Sequence, residues 1–248
     1  MIGISAEVAI ADYFHVAISD AYRARGDLGI INEIQKVVPQ IFQNNHIPTP
    51  IRHVAEHQNA VDFLLDNGKT LSVKTNKQAL GKAAPQRIGQ ANSRTWFDIL
   101  AKDLQITNIP TTYEKKATLF KETVFKKIDE LLTLYWDNLF DCDYFLQIYN
   151  IVDNNNTPTH SPKYIVITKL ESPVWDKGQI TFTKPNVLAW NESNTVKYKY
   201  GKVTIGEFQV HHNRDCFKFR FNMAGITELM EKEELDFSRA KAVGTLAA

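Results

Sequence analysis

Two cysteines, Cys142 and Cys216, are all that the 248 residues contain. So few exclude a disulfide framework and a thiolate zinc site, and they suit a reducing compartment. No apolar run approaches the ~20 residues that a membrane-spanning helix needs. Glu7 and Asp12 interrupt the N-terminal apolar pattern, so it is not shaped as a signal peptide. The expectation is a cytoplasmic chain with no membrane partner. A surplus of charge is also missing: 29 Lys and Arg against 28 Asp and Glu leave +1. A nucleic-acid-binding protein with this balance must cluster its basic residues, because the total does not advertise them. Internal repeats and flexible linkers are absent too. What remains is an ordinary globular composition, 44% hydrophobic and 23% charged.

Within those bounds the chain divides by pattern. Ser5 can cap a first helix running to about Arg25, with Val8, Ile10, Phe14, Ile18 and Tyr22 along one stripe. Arg23, Arg25 and Gly26 suit its C-terminal end. A second helical pattern covers Gly29 to Gln43, where Pro39 should kink or break it. Pro48 and Pro50 mark a loop before a β-hairpin, Val61–Leu65 and Thr70–Lys74, turning at Asp66-Asn67-Gly68. A basic, partly helical segment, Lys77 to Arg94, comes next, then one strongly helical stretch from Glu114 to about Leu139. From Tyr144 onward the pattern is β-rich, with strands at Tyr144–Tyr149, Lys163–Ile167 and Cys216–Phe221. The sum predicts a single α/β body with a β-rich C-terminal half.

The hairpin carries the chemistry, and its loop length decides whether that chemistry is possible. Directly opposed residues of an antiparallel pair point to one face. A two-residue Asn67-Gly68 loop opposes Asp62 with Val73 and sends Ser72 and Lys74 to the wrong face. A three-residue loop opposes Asp62 with Ser72, so that Asp62, Ser72 and Lys74 share a face. Such loops combine a type I turn with a left-handed glycine, and Gly68 stands where that is needed. A G1 bulge at Gly68, or an equivalent bulge near Asp62, is therefore predicted. Asp62 is a hard oxygen ligand of the kind Mg²⁺ prefers, and Lys74 can orient or deprotonate water and stabilise a phosphorane-like transition state. One acid binds Mg²⁺ weakly, so a second carboxylate is wanted.

Val61-Asp62 followed by Ser72-Val73-Lys74, in a strand–turn–strand context, resembles the PD-(D/E)XK nuclease superfamily and within it the type II restriction endonucleases. The resemblance implies a restriction-endonuclease-like core, a central mixed β-sheet flanked by helices. It also implies Mg²⁺-dependent, sequence-specific cleavage of double-stranded DNA, usually by a homodimer. In this reading residues 1–110 hold the first helix and the catalytic hairpin. Residues 111–248 hold the long helical stretch, a dimer or core element, and a β-rich part for DNA recognition or dimerisation. The catalytic residues are Asp62, Ser72, Lys74 and Glu7, and the metal ligands are Asp62, Glu7 and the backbone of Val73. Ser72 departs from the family pattern, which has an acid at that position. Some members carry serine and recruit a glutamate from elsewhere. Glu7, on the N-terminal helix, is the first candidate and Glu56 the second; a serine that marks lost activity is the third possibility.

Two segments are suited to DNA. Lys77, Lys82, Arg87 and Arg94 can meet phosphates, while Gln86, Gln90 and Asn92 can reach base edges. His211, His212, Asn213 and Arg214 join two strands. Lys218 and Arg220 alternate with Phe217, Phe219 and Phe221 to make one basic and one apolar strand face. Rival readings remain beside this one. A repair or recombination nuclease of the same superfamily would read DNA structure, and a silent DNA-binding protein would keep the basic segments alone. His53-Val54-Ala55-Glu56-His57 spells H-x-x-E-H, the helical motif of some zinc peptidases, with no third ligand in view. Gly68-Lys69-Thr70 lacks the earlier glycine of a phosphate-binding loop, since Phe63 stands there.

Overall fold

The structure is a computed structural model that describes residues 2–55, 61–238 and 246–247. Its elements follow in chain order. The first helix, α1 (Ile2–Tyr13), stops earlier than the apolar stripe suggests. His15 adopts a left-handed φ of 56° and the Val16 N–H closes back onto Ala11 O at 2.8 Å. That closure satisfies the terminal carbonyls and ends the helix. Ser5 lies inside α1, where its hydroxyl accepts the Asp27 N–H at 2.9 Å. Ser19 instead caps the short α2 (Asp20–Arg23). Asp27 caps α3 (Leu28–Asn44), which runs unbroken through Pro39. Proline costs that helix one hydrogen bond, while buried Ile30, Ile31, Ile34, Val38, Ile41 and Phe42 hold its apolar face in place.

Strands β1 (Pro50–His53), β2 (Phe63–Leu65), β3 (Thr70–Thr75), β4 (Lys82–Ala83) and β5 (Gln90–Asn92) precede α4 (Ser93–Leu100). The expected single helix to Leu139 is two, α5 (Tyr113–Lys126) and α6 (Ile128–Leu139), because Lys127 leaves helical geometry at φ −128°. After them come β6 (Tyr144–Tyr149), β7 (Lys163–Thr168), β8 (Thr181–Phe182), β9 (Ser193–Tyr198), β10 (Val203–His211), β11 (Cys216–Asn222), α7 (Met223–Glu231) and β12 (Leu246–Ala247). The chain is thus α/β, with a mixed sheet flanked by helices and a β-rich C-terminal half.

Two compact units emerge. The first comprises Met1–Gly81, Phe140–Leu170 and Ala242–Ala248, the second Lys82–Leu139 and Glu171–Lys241. In the first, the sheet order is β1-β2-β3-β6-β7-β12. Among the described residues only β3 and β6 pair in parallel, with Lys74 beside Gln147. Phe63, Leu65, Leu71, Val73, Leu146, Ile148 and Val166 form one core with α1 and α3. Each such side chain, fully buried, contributes ~1.5–3 kcal/mol.

The second unit is built on an antiparallel sheet, β4-β11-β10-β9-β8, with β5 also pairing β11. Its core is aromatic. Phe208, Phe217, Phe219 and Phe221 from the sheet are fully buried with Trp96, Phe120, Tyr135, Trp136 and Trp190. Phe120 stacks on Phe217 at 4.2 Å, and Trp96 Nε1 donates to Tyr135 Oη at 2.7 Å. α5 and α6 therefore serve as core elements of this unit. Among the described residues, no helix is long and apolar enough to cross a membrane.

Candidate active site

The site begins with the turn. Phe63 opposes Leu71 and Leu64 opposes Thr70, which is the register of the three-residue loop. Gly68 N–H donates to Leu65 O at 3.0 Å, closing a type I turn, and Gly68 takes φ 78°. A second irregularity sits at Asp62, whose N–H reaches the carbonyl of Leu71, the residue Phe63 already opposes. Asp62, just before β2, and Phe63 thus both face Leu71 of β3, which makes a bulge there. Backbone groups alternate along a strand, so Val73, like Leu71, turns its N–H and C=O towards the β2 edge. The β2 pairing has ended at that point. The Asp62 carboxylate takes the place of a strand: its Oδ2 accepts the Val73 N–H at 2.6 Å.

The predicted trio then meets through side chains. Ser72 Oγ donates to Asp62 Oδ2 at 3.3 Å, and Lys74 Nζ donates to Ser72 Oγ at 3.0 Å. Lys74 Nζ also lies 3.5 Å from the Val73 carbonyl. The serine relays between cation and acid. Asp62 is 7% exposed and Ser72 1%. Burial pushes the Asp62 carboxyl up. Lys74 and the two hydrogen bonds oppose that rise, while the negative charge of Glu7 adds to it. Cys142 lies close enough to feel Lys74 and Asp62, but burial pushes its thiol up to about 12 and so keeps it protonated and inert at neutral pH.

Glu7 sits in the middle of α1, beyond its first turn, and is 7% exposed. Its Oε2 accepts from Tyr22 Oη at 2.6 Å and contacts His53 Nε2 at 2.8 Å. A carboxylate only accepts, so Nε2 is the donor. Burial raises the Tyr22 hydroxyl above its ordinary range, and Glu7 and Asp62 raise it further, so it stays a donor. The donor set fits Mg²⁺: two carboxylates and a backbone carbonyl are hard oxygens. The hydrogen bonds of both acids among the described residues fall on Oδ2 and Oε2, leaving Asp62 Oδ1 and Glu7 Oε1 available. Among the described residues no group of three His, Cys, Asp or Glu side chains gathers as a metal site.

Other predicted residues fall variously. Glu56 and His57 lie outside the described residues. His53 ends β1, a strand, whereas the zinc motif needs it on a helix. Lys77 is exposed in the first unit and donates to Asn156. The remaining DNA candidates belong to the second unit, and β11 gathers several of them. It pairs Lys218 with Gln90, Cys216 with Asn92 and Asn222 with Lys82. On its other edge Gln209 lies beside Lys218 and Glu207 beside Arg220, with Ser193 beyond Gln209. A row Gln90, Lys218, Gln209 and Ser193 thus crosses four strands on the polar face of the sheet.

Some of these groups are already engaged. Lys82 and Arg220 both pair with Glu207, at 2.6 and 3.1 Å. Asn92 Oδ1 caps α4, and Arg94 lies 3.6 Å from Asp98. His211 lies between Glu192 and Gln209. His212, Asn213, Arg214 and Arg87 are exposed, and Gln86 is half-buried. Burial lowers the Lys218 ammonium, and Arg220 lowers it further.

Sequence reasoning missed Tyr22 and His53 as partners of Glu7. It also missed Glu207 on the polar face, and Gln147, fully buried with its Oε1 unpartnered among the described residues. A lone glutamine inside the apolar run Tyr144–Tyr149 was a legible signal. The tyrosine and histidine had none, because only the fold brings α2 and β1 to α1.

No family model and no solved structure matches the chain. A curated relative does: the type II restriction enzyme CviAII of Paramecium bursaria Chlorella virus 1, 29% identical over 175 residues. The match covers 69% of this chain but spans less than half, 44%, of that protein.

Proposed function

We propose that the chain is a Mg²⁺-dependent endonuclease that cuts double-stranded DNA at a specific sequence, as a type II restriction enzyme of the PD-(D/E)XK kind. The observation that carries this reading is the Lys74–Ser72–Asp62 chain of hydrogen bonds at the β2–β3 bulge, with the charge of Glu7 felt at Asp62. Similarity to a restriction enzyme over 69% of the chain supports it independently. Asp62, Glu7 and the Val73 carbonyl would hold the cation, which when bound supplies Lewis-acid activation of a water and of the scissile phosphate. Lys74 orients the attacking water and stabilises the negative charge that gathers on phosphorus oxygens as one P–O ester bond breaks. Ser72 fixes the lysine and keeps Asp62 in line.

The polar sheet face of the second unit suits DNA chemically. It offers amides for base edges in Gln90 and Gln209, and a cation for phosphate in Lys218. A homodimer would cut both strands of a palindrome, two-fold symmetry in the protein mirroring that in the site.

The test is digestion of phage DNA with Mg²⁺ by the wild type, Asp62→Ala and Lys74→Ala. Discrete fragments from the wild type, lost by at least ~100-fold in both variants, are expected. Fragments that survive both substitutions would place the chemistry elsewhere, and a smear would remove the sequence specificity.

A further inference from the structure

Three elements converge on a single oxygen of Glu7. Tyr22 comes from α2, His53 from the end of β1, and Glu7 itself from the middle of α1. Both donors meet Oε2, at 2.6 and 2.8 Å, and both are held from behind. The His53 ring packs between Tyr22, with centroids 4.9 Å apart, and Phe63, 5.1 Å apart. The His53 side chain is 1% exposed and that of Glu7 10%.

Burying a carboxylate is costly. A stapling role for Glu7 would be served as well by a neutral glutamine or by spreading the donors over both oxygens. Here both donors sit on the same oxygen, so the three rotatable bonds of Glu7 are fixed while Oε1 stays without a partner among the described residues. Fixing one oxygen and sparing the other is how a ligand carboxylate is aimed.

We propose that Tyr22 and His53 are positioning residues that clamp Glu7 Oε2 and so aim Oε1 at a divalent cation shared with Asp62. The proposal rests on the nuclease reading for the identity of the site. The clamp acts on cation affinity, not on DNA contact, and it predicts that loss of either donor weakens the cation site while the fold persists.

The experiment titrates Mn²⁺ into the full chain, with the free ion followed by electron paramagnetic resonance. Wild type, Tyr22→Phe, His53→Gln and Glu7→Gln are compared, with melting midpoints in chelator and DNA cleavage across Mg²⁺ concentrations alongside. Tyr22→Phe keeps the ring and removes only the donor. The expected result is Mn²⁺ bound ~10-fold more weakly by Tyr22→Phe and His53→Gln, with cleavage recovered at raised Mg²⁺. Unchanged Mn²⁺ affinity in both, beside a loss in Glu7→Gln, overturns the clamp. Should Tyr22→Phe fail to fold, His53→Gln carries the same test. A wild type that binds no Mn²⁺ overturns the clamp and the nuclease reading together. A wild type that binds Mn²⁺ through the clamp yet cuts no DNA overturns the nuclease reading alone.

Discussion

Ser72 is the residue on which the site turns. Its hydroxyl both receives Lys74 and donates to Asp62, so a neutral group joins the cation to the acid. An acid there would stand buried beside Asp62, whose own ionisation burial already opposes. On the nuclease reading, we expect Ser72→Ala to lower the cleavage rate ~10-fold or more while DNA affinity in Ca²⁺ is unchanged, because lysine and aspartate keep their charges but lose their alignment. Single-turnover kinetics beside a filter-binding curve would show the split, and equal losses in both would count against the relay.

Glu207 offers a stability test at the same scale. Burial pushes its carboxyl up, but Lys82 and then Arg220 outweigh burial and hold it below the usual range. A depressed folded pKa stabilises above the unfolded value, ~4.3, and that stability is lost as pH falls through the folded pKa. Glu207→Gln should therefore cost on the order of 1 kcal/mol at pH 7, with the gap to wild type closing below ~pH 4 in urea melts. A gap independent of pH would assign the loss to packing.

At the scale of elements, the hairpin was legible because its constraints are local. Asn67-Gly68 limits the turn, alternation limits the faces, and the demand that Asp62, Ser72 and Lys74 meet selects one register. A Cβ on Gly68 would meet nothing within 4 Å, so its φ of 78° is the whole cost of substitution. Gly68→Ala is expected to lose ~1–2 kcal/mol, and Gly68→Asn less, with thermal midpoints falling ~2–4 °C per kcal/mol. An alanine variant as stable as wild type would mean the turn relaxes.

The helix boundaries were less legible. The stripe Val8 to Tyr22 continues across a left-handed His15 because two helices share one core, and no local signal marks that break. Pro39 misled for the opposite reason: six buried apolar side chains outweigh one absent N–H. The α/β class and the strands Tyr144–Tyr149 and Lys163–Ile167, the latter extending to Thr168, followed from composition and from short apolar, β-branched and aromatic runs. The convergence of Tyr22 and His53 on Glu7 could not, since it depends on contacts between distant segments.

At the scale of the whole molecule, the two units divide the groups by kind. The acids, lysine and relay serine belong to the first unit, and the amide and basic row to the second. On the nuclease reading, Lys218→Ala should weaken DNA binding uniformly across sequences and flatten its salt dependence by about one unit of slope. Gln209→Ala should instead relax sequence choice, costing ~1–3 kcal/mol at one base pair. Equal effects of the two on cognate and random duplex would remove the distinction.

The parallel pairing of β3 with β6 joins strands separated by residues 76–143. A ribosome therefore delivers Asp62, Ser72 and Lys74 long before it delivers the strand that flanks them. During that interval β3 lacks its inner neighbour, and the lysine has no finished sheet to stand on. The late arrival of Tyr144–Tyr149 acts as a clock on maturation: a nascent or truncated chain holds Asp62, Ser72 and Lys74 on their hairpin but lacks the strand that flanks β3.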